Sequence, residues 1–169
     1  RLVTSCSDDR LRTWDSVTGQ LLEDVALEGR VRDRVHERFS PDGKLYVPVL
    51  PGRPSGVWNV AEGKKRFDLG TRAARAVAFS PDSRWLAYVS DESGRAEVYV
   101  APYPGAGRKW QVSSRGGGYP RWRKDGREIV FSSNHAYPGH QGGQDVYVST
   151  RDAFGDAWST PVRPDTDIN

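Results

Sequence analysis

Hydrophobic positions along the chain come in short runs separated by Gly, Pro, Asp and Ser, and no segment sustains the period of an amphipathic helix. One block recurs. "RFSPDGKLYVPV" (Arg38 to Val49) returns as "AFSPDSRWLAYV" (Ala78 to Val89) and, more loosely, as "RWRKDGREIVFS" (Arg121 to Ser132). The turn aspartates Asp42, Asp82 and Asp125 lie 40 and 43 positions apart. In each copy an aromatic residue (Phe39, Phe79, Trp122) closes a first strand. A two-residue Asp-Gly or Asp-Ser turn follows, which tolerates the positive φ of a tight hairpin. The second strands, "LYVPVL", "WLAYVS" and "EIVFSS", are apolar enough to predict burial on both faces. Third strands at "GVWNV", "AEVYV" and "QDVYV" align Trp58 with Tyr99 and Tyr147. Outer strands are expected at "KRFDL", "KWQVS" and "AWSTPV", where polar and apolar residues alternate.

This spacing suits the four-stranded blades of a propeller. The expected fold is all-β: a β-propeller of about four blades, each a four-stranded antiparallel sheet, over approximately 1–28, 29–70, 71–114 and 115–169 of a single unit. A two-layer sandwich is the all-β alternative, but it requires no such repeat. Strands near Leu2, Leu11 and Leu21 make only three in the first blade, which lacks its innermost strand. After the outer strand near Val162 only "RPDTDIN" remains to complete it. An open arc would expose apolar blade faces and strand edges. The expectation is therefore a homo-oligomer, most simply two chains closing a ring of about eight blades, or a segment of a larger propeller.

Bulk properties narrow the function classes. Lys and Arg number 25 against 22 acidic residues, and the net charge of +3 is interspersed, so neither nucleic-acid binding nor membrane binding is implied. No apolar run reaches the ~20 residues of a membrane-spanning helix. The single cysteine, Cys6, allows no internal disulfide. The chain contains no methionine, even at position 1, so it is not expected to begin where its gene begins.

Three propeller subfamilies are resembled. "LVTSCSDDRLRTWDSVTGQLL" (Leu2 to Leu22) is similar to the second half of a WD repeat, with Trp14 and Asp15 as the name-giving dipeptide, Asp8 as turn aspartate and Thr18-Gly19 before the outer strand. WD repeats hold a His, Asp, Ser/Thr and Trp in one structural network. Here Cys6 occupies the hydroxyl position and the strand that would carry the His is absent. The stretch from Ala73 to Phe131 resembles TolB-like repeats found beside bacterial kinases and peptidases, and "DVYVSTR" with "WSTPV" resembles WD-like bacterial repeats. These resemblances imply a bacterial source and either a piece of a mosaic propeller or a chimera; the lack of an apolar run reads as a soluble protein, of the bacterial cytoplasm or periplasm without a choice between them.

Candidate chemistry is sparse. "TRDAFGDAW" (Thr150 to Trp158) approaches the Asp-box of sialidase-type propellers, but Gly155 and Trp158 are displaced by one position, and the box is a folding element. Arg38 and Arg121 sit at equivalent first-strand positions, able to attract an anion near the central channel; Ala78 is their third counterpart. His135, His140 and Asp145 lie in a Gly-rich loop and fall short of the four rigidly placed ligands of a zinc site, so no metal and no cofactor is expected. No G-x-S-x-G elbow or phosphate-binding loop occurs, and "GGGY" (Gly116 to Tyr119) reads as a turn between blades.

The loops "SDESGR" and "NHAYPGHQGGQD" join second to third strands in neighbouring blades and emerge on one face. They make Asp91, Glu92, Arg95, His135, Tyr137 and His140 the candidate binding residues. The reading is a non-catalytic scaffold for an unknown protein or small ligand. An accessory sensor or gating propeller of a larger bacterial enzyme is the alternative, and a sialidase-like glycosidase the remotest.

Overall fold

A computed structural model describes residues 2–6, 8, 10–26, 36–49, 56–69, 76–103, 107–134, 143–153 and 155–164. Their strands form four antiparallel sheets that succeed one another along the chain. Blade 1 holds β1 (Leu2–Cys6), β2 (Arg10–Trp14) and β3 (Leu21–Ala26). Blade 2 holds β4 (His36–Phe39), β5 (Leu45–Val49), β6 (Gly56–Asn59) and β7 (Lys64–Asp68). Blade 3 holds β8 (Val77–Phe79), β9 (Trp85–Ser90), β10 (Glu97–Pro102) and β11 (Trp110–Gln111). Blade 4 holds β12 (Gly118–Trp122), β13 (Glu128–Ser133) and β14 (Asp145–Thr150). Among the described residues no helix is long and apolar enough to cross a membrane.

The outer strand expected at "AWSTPV" is reduced to one bridge, Val162 to Val148. Pro161 and Pro164 flank that bridge, and neither has an N–H with which to extend a ladder. The third-strand alignment also shifts. Tyr46 pairs with Trp58, whereas its counterparts Leu86 and Ile129 pair with Ala101 and Ser149. Trp58 therefore occupies the position of Ala101 and Ser149, two residues beyond that of Tyr99 and Tyr147.

The recurring turn is longer than the two-residue hairpin expected. The Ser40 N–H donates to Leu45 O (3.0 Å) and the Gly43 N–H to Ser40 O (2.9 Å), which leaves Pro41 to Lys44 between the paired ends. Only Gly43 has a positive φ, +71°. The aspartate acts as an acceptor instead: Asp42 Oδ1 receives the Ser40 hydroxyl (2.6 Å) and the Lys44 N–H (3.1 Å), while Ser40 Oγ receives the Leu45 N–H (3.0 Å). Partial burial opposes ionisation of Asp42, but these donors hold its carboxyl below the usual carboxylate range. Ser80, Asp82, Arg84 and Trp85 repeat the arrangement. In blade 4, where Arg123 replaces the serine, Asp125 accepts from the Arg127 N–H (2.9 Å).

Gly43, Ser83 and Gly126 share the left-handed position of this turn, and Ser83 has a φ of +60°. A side chain there costs about 1–2 kcal/mol, partly offset by the greater freedom of glycine when unfolded. Ser83→Gly is expected to raise stability by about 0.5 kcal/mol, since the bond it removes, from the Asp42 N–H to Ser83 Oγ (3.2 Å), is exposed. A lowered urea midpoint would contradict this account.

Alternate strand positions face the preceding or the following blade. Leu11, Tyr46 and Val60 join blades 1 and 2. Val47, Val57, Leu86, Tyr88 and Tyr99 belong to the cluster between blades 2 and 3. Ala87, Val98, Val100, Ile129, Phe131 and Tyr147 belong to the cluster between blades 3 and 4. Large side chains from the following blade thus seat on small ones from the preceding blade. β9 is buried along nearly all its length, as its apolar sequence predicts. β13 is not: Ile129, Phe131 and Ser133 are buried, while Glu128, Val130 and Ser132 are only partly covered. The reason lies in its place in the series, because among the described residues no core cluster draws on both blade 4 and blade 1.

Candidate functional site

A cleft of about 470 Å³ opens between blades 3 and 4. Its walls come from Arg95 and Ala96 in the β9–β10 loop, the Gly116 to Gly118 run entering β12, Tyr119, and Asn134 and Gln144 at the two ends of the β13–β14 connection. The first two glycines of the run are sterically dictated. A Cβ on Gly117 would stand 2.6 Å from Ser113 Oγ and 2.9 Å from Val98 Cγ2, and Gly116 takes a φ of +86°.

Beneath that run lies Glu97, 1% exposed. Its carboxylate accepts from the Ser113 hydroxyl and from the Gly116 N–H (2.9 Å), and Arg95 Nε approaches to 3.4 Å. Ser113 Oγ in turn accepts the Val98 N–H (2.8 Å), so one buried carboxylate ties β10 to the connection between blades.

The cleft mouth is set by a bulge. Gly118 opposes Ser132 and Arg121 opposes Val130, so Tyr119 and Pro120 together face Phe131. Tyr119 adopts a φ of +53° and is 65% exposed. An aromatic residue in the left-handed region costs about 1–2 kcal/mol and persists only where its surroundings hold it. Beside it Gln144 Nε2 donates to Ser132 Oγ (2.9 Å), and the Ser132 hydroxyl donates to Gly118 O (3.3 Å).

Of the binding residues expected from sequence, Arg95 lines this cleft. Asp91 and Glu92 are exposed on the same loop, and Glu92 pairs with Lys109 at 2.6 Å. His135, Tyr137 and His140 lie outside the described residues. Arg121 is exposed on β12 and donates to Pro120 O (3.0 Å). Its register matches that of Arg38 and Ala78, since their partners Val130, Val47 and Ala87 are equivalent; the Arg38 side chain is outside the described ones. Among the described residues no three His, Cys, Asp or Glu side chains are grouped to hold a metal ion.

In blade 1, Asp8 pairs with Arg12 (2.5 Å), whose guanidinium holds its carboxyl below the usual range. Asp15 accepts the Thr18 and Val17 amides (2.7 and 2.9 Å), which lower its carboxyl likewise. The Cys6 side chain lies outside the described ones, and the Trp14 indole N–H donates to Thr4 Oγ1 (2.9 Å). These two residues stand on adjacent strands, near enough for the side chains to meet, which strand order alone does not reveal.

Sequence reasoning missed two features. Tyr119 and its glycine run read as a plain turn, because the bulge that reorients Tyr119 depends on pairing with β13. The other is Arg151, which lies inside the Asp-box-like "TRDAFGDAW" and belongs to no motif that residue order displays. It is 4% exposed, with its guanidinium 4.4 Å from the Trp85 ring, 4.8 Å from Trp158 and 5.6 Å from Trp122. It also donates to Gly126 O (3.0 Å), and burial lowers its pKa below the ordinary arginine value.

Among solved structures, the chain is similar to the tricorn protease, at 14% identity and a TM-score of 0.62, over 88% of this chain and 16% of that one. It is also similar to TolB from Agrobacterium tumefaciens, at 17% identity and a TM-score of 0.56, over 92% of this chain and 62% of that one. No family model matches the sequence, and no curated protein matches it. The likeness establishes the fold, a β-propeller built of antiparallel blades. The chain spans less than two thirds of either neighbour.

Proposed function

We propose that this propeller is a non-catalytic binding module that takes a protein segment or small ligand into the cleft between blades 3 and 4. The observation that carries this reading is Tyr119, whose strained backbone presents an exposed ring over a glycine floor. An aromatic ring beside amide and guanidinium groups suits stacking combined with hydrogen bonding. The acidic groups nearby, Glu97 and Glu92, are engaged with Arg95 and Lys109, which argues against acid–base work at this place. No cofactor or nucleic acid enters the reading. Within it, blade 1 is a WD-type repeat, supported by the Trp14 to Thr4 bond, and blade 3 is TolB-like, supported by the similarity to TolB.

The test is binding of the purified chain to arrays of immobilised peptides and glycans, repeated with Tyr119→Gly. Glycine accepts the left-handed backbone, so this change removes the ring while sparing the bulge. At least a tenfold loss of affinity, about 1.4 kcal/mol, is expected with no loss of stability, since glycine relieves the left-handed backbone. Binding that survives the change, or turnover of a peptide or sialoside by the purified chain, would overturn the proposal. A gating or sensor propeller within a larger enzyme is the second reading, favoured by the overlap with one part of the tricorn protease.

A further inference from the structure

We infer that the cleft between blades 3 and 4 takes a neutral saccharide, one sugar ring stacking on Tyr119 while its hydroxyls meet side-chain amides; this rests on the proposal that the cleft is the binding site. Backbone recognition is largely spent here. The Gly116 N–H goes to the Glu97 carboxylate (2.9 Å) and the Gly117 N–H to Ala96 O (3.0 Å), so neither amide is left for a phosphate or carboxylate. An extended peptide fares no better. Such a peptide adds to an open strand edge, yet on β12 Tyr119 leaves the strand conformation at a φ of +53° and Pro120 has no N–H to give. Recognition is left to side chains.

Charge selects against ions of either sign. Arg95 lines the cleft with Glu97 beneath it, and Arg95 Nε stands 3.4 Å from Glu97 Oε1. A ligand carboxylate drawn to the guanidinium meets the buried carboxylate close behind it, and a ligand cation meets Arg95 first. Neighbouring charges are also matched, Glu92 with Lys109 at 2.6 Å and Asp145 with Arg163 at 3.6 Å. What the cleft presents besides is the exposed Tyr119 ring, apolar lining from Ala76 and Val89, and the exposed side chains of Asn134 and Gln144. Gln144 Nε2 donates to Ser132 Oγ (2.9 Å), which fixes the amide and keeps its oxygen as an acceptor. Side-chain amides supply both donors and acceptors, as a row of sugar hydroxyls requires, and the C–H face of a sugar ring packs on an aromatic one. The volume of about 470 Å³ lies in the range of small-ligand clefts.

Titration calorimetry of the purified chain tests this with neutral trisaccharides of glucose, galactose, xylose and N-acetylglucosamine, with trigalacturonic acid, and with extended peptides. At least one neutral trisaccharide is expected to bind, with an affinity that molar salt leaves unchanged because no ion pair forms. Tyr119→Gly should weaken that binding at least tenfold, and Asn134→Ala and Gln144→Ala about three- to tenfold each, with the circular dichroism of the wild type retained. Trigalacturonic acid bound more tightly than every neutral sugar, or a peptide bound through Tyr119 where no sugar binds, would overturn the inference and leave the cleft a binding site. Neutral-sugar binding that survives Tyr119→Gly would overturn it too. Binding of no probe at all would overturn both the inference and the proposal on which it rests.

Discussion

Replacement of Arg151 by alanine is expected to destabilise the fold by about 3 kcal/mol, among the largest single-residue effects in this chain. The guanidinium lies against three indole rings contributed by blade 3 (Trp85) and blade 4 (Trp122, Trp158). Each contact of this kind adds on the order of 0.5–2 kcal/mol, and truncation also leaves a void among rings that cannot collapse readily. The energy of desolvating the charge offsets part of the loss, which keeps the net below the sum. At about 2–4 °C per kcal/mol for a chain of this size, the melting temperature should fall by roughly 6–12 °C. Arg151→Met keeps most of the volume and should recover about half of the loss, separating packing from charge. A thermal scan in which the alanine variant loses less than about 1 kcal/mol would refute this account of the blade 3–4 junction.

Glu97→Ala should cost a comparable amount, again about 3 kcal/mol, through a different mechanism. Removing the carboxylate strands two buried donors, the Ser113 hydroxyl and the Gly116 N–H, each costing about 1–3 kcal/mol if left unpaired. The exposed partner Arg95 adds little, because water replaces the lost ion pair. Glu97→Gln is the informative companion. Its oxygen can still take the Gly116 N–H, but its amide then faces Ser113, whose oxygen already accepts the Val98 N–H and whose proton loses its acceptor. A loss of about 1–2 kcal/mol is expected in urea denaturation. Equal stability of the glutamine variant and wild type would show that the carboxylate is not the tie between β10 and the cleft floor.

Much of the architecture was legible along the chain because it depends on local chemistry. The Asp42, Asp82 and Asp125 turns and the strand alternation involve residues within a few positions of one another. Even there the turn length escaped, since the same Asp-Gly pair serves a two-residue hairpin or, as at Asp42 and Asp125, a four-residue loop whose carboxylate accepts a backbone N–H. The outer strand of blade 4 failed for a local reason that the sequence also displayed, the two prolines around Val162.

What the sequence determined by itself was therefore the repeat, the strands and the class of fold, because a period near 40 residues and alternation of two leave their record in residue order. Only the tertiary structure decided which faces are covered and where a cleft lies. The indoles around Arg151 come from positions 85, 122 and 158, and Glu97 reaches a glycine 19 residues away. Such contacts carry no periodicity and arise only when neighbouring blades stack. The same holds for Tyr119, whose strain exists because β12 and β13 pair out of step, and for Val130, which follows the pattern of a buried strand but lies where the series of described blades ends.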